Sequence, residues 1–136
     1  MSFTRVDIQS CRDEIAGQVK TYRDLVGAAS KASGMSLVRI DAALSAFEPV
    51  FFNNLLVALD ARFAPRARGQ AGDEVALLAA ALLRHGGVLT RDAARPHDAD
   101  ASVLRLDFGE HVALNADDFD AVSTAFLAEL ADRADA

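Results

Sequence analysis

The side chains to test first for chemistry are three histidines, one cysteine and a scatter of serines. Carboxylate-bridged di-iron bundles need Glu-x-x-His pairs on facing helices, and His85, His97 and His111 belong to no such pair. "HDAD" (97–100) reads as a solvated acidic loop rather than a cation site. No Gly-x-Ser-x-Gly elbow occurs, so Ser30, Ser33, Ser36, Ser45, Ser102 and Ser123 carry no nucleophile signature. "GQAGDEV" (69–75) enters a helix as phosphate loops do, but Asp73 and Glu74 would occupy and repel that site, which leaves an ordinary cap. No catalytic residue, metal or cofactor is expected, and an enzyme is the less favoured reading.

Arg91…His97 and Arg105…His111 share one further spacing. They resemble the Arg, four to six residues, His pattern that small helical ribonucleases of the HEPN type present from one helix at a dimer interface. Pro96 interrupts the first pair and a turn at Gly109 the second, so neither shares a helical face. A helical ribonuclease centred on the arginines Arg62, Arg66 and Arg68 is therefore a minor alternative. Those arginines read more simply as a solvated helix end complementing the C-terminal dipole.

The elements that must position any site are mostly helical. "TRVD" has the shape of a capping box at Thr4, and Ile8, Cys11, Ile15, Val19, Tyr22, Val26 and Ala29 follow at steps of three and four. That stripe makes Cys11 an inert core residue, because a reactive thiol needs a basic, partly open setting. Helices are expected at about 5–33, 37–47, 49–64, 73–85 and 116–133, with Pro49 either beginning the third or kinking one helix continuous with the second, and with Asn115 and Asp118 opening the last. Alternation in "SVLRLDFGEHVAL" predicts an antiparallel hairpin over about 102–114, turning at Gly109-Glu110. Val88-Leu89-Thr90 could be a stub of strand. The expected fold is a single mainly α domain over 1–136, a compact bundle of four to five helices with one small β-hairpin.

Two asparagines stand in the most apolar stretch, "FEPVFFNNLLVALDARFAPR" (47–66). At ~100° per residue, Phe52, Leu55, Leu56, Leu59 and Phe63 gather in one sector, with Val50, Val57 and Ala61 opposite and Phe51 and Ala58 at the flank. Asn53 falls on a narrow polar strip and needs no special role. Asn54 falls inside the second apolar face, where an unpaired amide costs ~1–3 kcal/mol and so must find a mate. One polar residue in an apolar seam can fix register or oligomer state. The helix at 73–85 also has a second apolar face, with Leu77, Ala80 and Ala81. One such face is expected to meet another chain, unless its helix is simply central to the bundle.

The chain carries a net charge of −6 with 51% hydrophobic residues, ordinary for a globular domain of 136 residues. Residues 1–95 hold 12 basic and 10 acidic side chains, and residues 96–136 hold 2 and 10. That acidic third disfavours nucleic-acid binding. One cysteine and an N-terminus without signal-peptide character point to the cytoplasm. The charge-free run 75–83 falls well short of the ~20 residues a spanning helix needs, so no membrane segment is expected.

"AFEPVFFNNLLVALD" (46–60), "LLRHGGVL" (82–89), "SVLRLDFGEHVALN" (102–115) and "DFDAVSTAFLAEL" (118–130) resemble a family of small uncharacterised bacterial proteins. The likeness spans roughly 42–134 and implies that the Phe-Asn-Asn helix and the hairpin segment share one domain. Relatives in that family carry a basic Phe-x-His-Arg-x-Arg ending, whereas Pro65 stands at the His position here. The resemblance implies no activity. The expected function is a homodimeric interaction or assembly domain, with Phe51, Asn54 and Ala58 on its association surface. An unknown protein partner is a variant of that reading. The alternative is a small-ligand pocket between helices with Tyr22, Asn53, Asn54 and Arg62 as polar fixtures.

Overall fold

Thr4 and Asp7 close the expected capping box: Asp7 N donates to Thr4 Oγ1 at 3.1 Å, and Thr4 N donates to Asp7 Oδ2 at 3.0 Å. The structure, a computed structural model, describes residues 3–31, 34–66 and 68–134. From that box runs α1 (Arg5–Ala29), burying Ile8, Cys11, Ile15, Val19 and Tyr22 along one stripe. Past Tyr22, residues 23–28 are exposed, Val26 among them, and only Ala29 of the expected stripe is buried again. The helix ends at Ala29 rather than 33; Ala32 and Ser33 lie outside the described residues.

Gly34 has φ 66° and begins the next helix. α2 (Gly34–Arg62) is continuous, so the two helices expected at 37–47 and 49–64 are one element with Pro49 inside it. Among the described side chains of α2, full burial starts at Phe52 and continues through Leu56 and Leu59, with Phe63 just beyond the helix end. An 18-residue window within its Ser36–Arg62 segment has a mean hydropathy of 1.5. By length and composition α2 could cross a membrane, against the expectation from sequence: 49–59 is free of charge, and Glu48 alone parts it from 42–47.

α3 (Gln70–Arg84) is the central helix, with every residue from Ala71 to Ala79 buried. Its second apolar face is consumed internally, since Leu77 and Ala81 are in the core. It packs on α2 and on α4 (Ala116–Asp132), and α4 also packs on α1. Phe52, Phe63, Phe119 and Phe126 form the aromatic centre, with Phe52 and Phe119 at 5.7 Å and Phe63 and Phe126 at 6.0 Å. The cap of α3 comes from another helix rather than from its own first turn. Glu129 of α4 accepts from Ala71 N at 3.0 Å and Gly72 N at 2.8 Å, placing a carboxylate on the positive helix end. A side chain at Gly69 would collide with that carboxylate.

The hairpin does not form. The described residues contain four helices and no β-strand, so the fold is all-α, a helical bundle with an irregular 85–115 connection. The physical reason lies in where the backbone groups go. Glu74, buried at 4% exposure, accepts from Val103 N at 2.8 Å and Leu104 N at 3.0 Å. Ser102 Oγ accepts from Arg105 N at 2.9 Å, and Arg105 takes φ 55°. These donors are unavailable for a 102–108 strand. Residues 109–112 pair instead with the stub at 87–89: Leu89 N donates to Glu110 O at 2.9 Å, Gly109 N to Leu89 O at 2.8 Å and Val112 N to Gly87 O at 2.7 Å. Only an isolated bridge, Val88 to His111, results.

Candidate functional site

The two asparagines separate as their positions on the helical wheel require, but Asn53, expected to need no special role, has one. Asn53 is the bonded one. Its Nδ2 donates to Val112 O at 3.3 Å and its Oδ1 accepts from Leu114 N at 3.1 Å, so a single amide serves both peptide groups of an extended segment as a neighbouring strand would. Asn54 is exposed and has no hydrogen bond among the described residues. The mate expected for it on the second apolar face is thus not found within the described residues, where its amide faces water.

What surrounds Asn54 is an apolar stripe turned away from the core. Ala43, Phe47, Val50, Asn54, Val57 and Ala61 follow at alternating steps of four and three, the a/d spacing of a two-stranded helical seam. Phe52, Leu56 and Leu59 take the opposite side and face the protein's own core. Phe47 is 45% and Val50 55% exposed, Ala43, Ala58 and Ala61 are exposed, and Val57 is half-buried. Only 17% of an apolar 18-residue window within Ser36–Arg62 is buried. Phe51, at the flank, stacks on Phe47 at 5.5 Å and on Tyr22 at 5.9 Å, tying the outer face to the core aromatics.

Tyr22 is buried, with its ring edge-to-face on Phe52 at 5.0 Å. Burial first, then the Glu48 carboxylate, pushes its hydroxyl above the ordinary range. Glu48 also accepts from Ala116 N at 3.0 Å, so α2 caps the start of α4. Tyr22 borders a cleft of about 450 Å³ with Leu44 and Glu48, whereas Arg62 borders a recess of about 80 Å³ beside Cys11. Arg62 pairs with Glu14, which raises its pKa. Tyr22, Asn53, Asn54 and Arg62 thus do not converge on one cavity.

Arg91 and His97 meet on a common ring without sharing a helix. The Arg91 guanidinium lies 4.4 Å from the Phe108 centroid, and the His97 ring 5.3 Å from it. His97 Nε2 donates to Leu106 O at 2.6 Å. Arg105 and His111 are exposed in the same irregular connection. Arg66 departs from the solvated reading. Its side chain is 8% exposed, with Nη2 on Asp60 Oδ1 at 2.7 Å and on Gly72 O at 2.8 Å. Sequence reasoning also missed Glu48, Glu74 and Glu129, whose partners are backbone groups far along the chain and leave no local pattern. No family model, no curated protein and no solved structure matches the chain.

Proposed function

We propose that the protein works as a homodimeric assembly or interaction domain, associating through the outward stripe of α2. The observation that supports this reading is the open Phe47, Val50, Asn54, Val57 seam, apolar at a/d spacing on a helix whose other side is already packed. α3 also has two apolar faces but is central, so the unpartnered face belongs to α2. A second copy suits the seam better than an arbitrary partner. An amide both donates and accepts, so two Asn54 side chains across a two-fold axis satisfy each other, and an isologous contact presents the same patch twice. Each exposed Val or Phe taken out of water there contributes up to ~1.5–3 kcal/mol, against which one polar seam residue costs a fraction and fixes register.

The test is solution mass by light scattering over a dilution series. Wild type is expected at twice the 14.4 kDa chain mass. Val50→Glu, which sets two carboxylates face to face, should return it to the chain mass with its helical circular dichroism intact. A wild type that stays at the chain mass at high concentration overturns the proposal.

A further inference from the structure

A second feature, independent of self-association, is a cleft of about 390 Å³ between the C-terminal end of α2, α3 and the turn at 92–95. Its floor is made by Gly72, Ala76, Ala79 and Ala80 of α3, whose side chains are no longer than a methyl group, so the space between Asp73 at one end and Leu83 and Arg84 at the other stays open. Four arginines line it, Arg66, Arg68, Arg84 and Arg95, against three aspartates, Asp60, Asp73 and Asp92. The lining is thus net positive in a chain of net charge −6.

The way these charges are paired leaves cationic capacity at the rim. Asp60 is taken by Arg66. Asp73, buried, is shared by two guanidiniums, Arg95 at 3.2 Å and Arg68 at 4.0 Å. Arg68 is thereby held loosely, with 62% of its side chain exposed. Arg84 forms no ion pair among the described residues. Asp92 spends its carboxylate on its own turn, accepting from Ala94 N at 2.9 Å while its carbonyl accepts from Arg95 N at 3.0 Å, which fixes the backbone that presents Arg95. Arg66, which also lines the cleft, lies over the Phe126 ring at 4.8 Å, and its Nε is buried with no hydrogen-bond partner among the described residues. An adjoining cleft shares Arg68 and Asp73 and adds His97.

We propose that this cleft binds a small molecule bearing an oxyanion group, phosphate or carboxylate, held at the rim by Arg68, Arg84 and Arg95. Guanidiniums match the planar, two-oxygen face of such anions, and the volume lies in the range of small-ligand sites. Polynucleotides are a poorer match, because the acidic 96–136 third repels a long phosphate backbone beyond the cleft.

Calorimetric titration of the full chain with pyrophosphate and, separately, citrate at constant ionic strength tests this. At least one should bind saturably, and which one binds separates a phosphate from a carboxylate ligand. Arg68→Gln and Arg84→Gln, both exposed and outside the core, should each weaken binding about tenfold, the loss of one charge-assisted contact. Ala80→Gln, filling the floor, should abolish it, and Arg12→Gln on α1 should leave it unchanged. Absence of saturation by either anion up to about 10 mM, or equal affinity in wild type and the two arginine variants, overturns the proposal.

Discussion

Glu74→Gln isolates the contact that replaces the expected strand. The carboxylate offers one oxygen each to Val103 N and Leu104 N from a buried position. Glutamine keeps the shape but offers one acceptor and one donor group, so one of the two amide N–H groups meets an N–H. A charge-assisted bond contributes ~1.5–3 kcal/mol, and a buried donor left unpaired costs ~1–3 kcal/mol; partial relaxation puts the sum at about 3 kcal/mol. Unfolding entropy of about 2.1 cal/mol/K per residue gives roughly 0.3 kcal/mol/K for this length, so the melting temperature should fall by about 10 °C. Calorimetry at dilute, fixed concentration reads that fall. Amide exchange at Val103 and Leu104 should rise beyond the global change, because these donors lose their partner directly. A melting temperature within 1–2 °C of wild type (roughly 0.5 kcal/mol by the same entropy), with unchanged exchange at both amides, would refute the reasoning that Glu74 organises this segment.

Asn53→Ala strands Leu114 N and Val112 O, so urea unfolding should show a loss of about 2 kcal/mol, with amide exchange at Leu114 accelerated; a loss within error would deny the amide its bridging role. Cys11 is buried, and its thiol is pushed above the ordinary value of 9.0, chiefly by that burial. Between the ordinary and the raised value the unfolded chain releases a proton that the folded chain keeps. Stability is therefore fully present below pH 9 and declines as pH rises through that window. Urea unfolding at pH 8 and pH 9.5 should show the decline in wild type and a shallower one in Cys11→Ala; identical slopes would contradict it.

The helices were legible because their signals are local. Thr4 with Asp7 and Asn115 with Asp118 announce two N-termini within four residues each, and the α1 stripe places Cys11 and Tyr22 in the core. The hairpin misled because alternation in 104–108 is also what a coil produces when Leu104, Leu106 and Phe108 each lean on the core. Period alone cannot see that Glu74, about thirty residues earlier, has claimed the amides at 103 and 104. Pairing with 87–89 was equally remote, since it closes a loop of some twenty residues. Pro49 offered a boundary or a kink, since an interior proline loses one donor and crowds the carbonyl four residues back, yet α2 runs through it with apolar residues on both sides. The arginine cleft left no motif because its residues come from a helix end, a helix face and a turn.

Neighbouring asparagines on one helix offer a test that distinguishes folding from association. Consecutive residues lie ~100° apart, so positions 53 and 54 of α2 cannot share an environment. Asn53 is bonded within the chain, and its loss should lower stability by the same amount at every protein concentration. Asn54 has no hydrogen bond among the described residues, and its contribution, if the seam is a two-fold contact, enters only through the dimer. Stability that depends on a partner copy grows with concentration by mass action. Asn54→Leu should therefore leave the dilute melting temperature near wild type while changing its concentration dependence or the assembly's mass, because a more apolar seam associates more strongly and with less defined register. An Asn54→Leu chain indistinguishable from wild type in mass and melting temperature across a hundredfold dilution (about 2.7 kcal/mol of mass-action range) would remove position 54 from any interface.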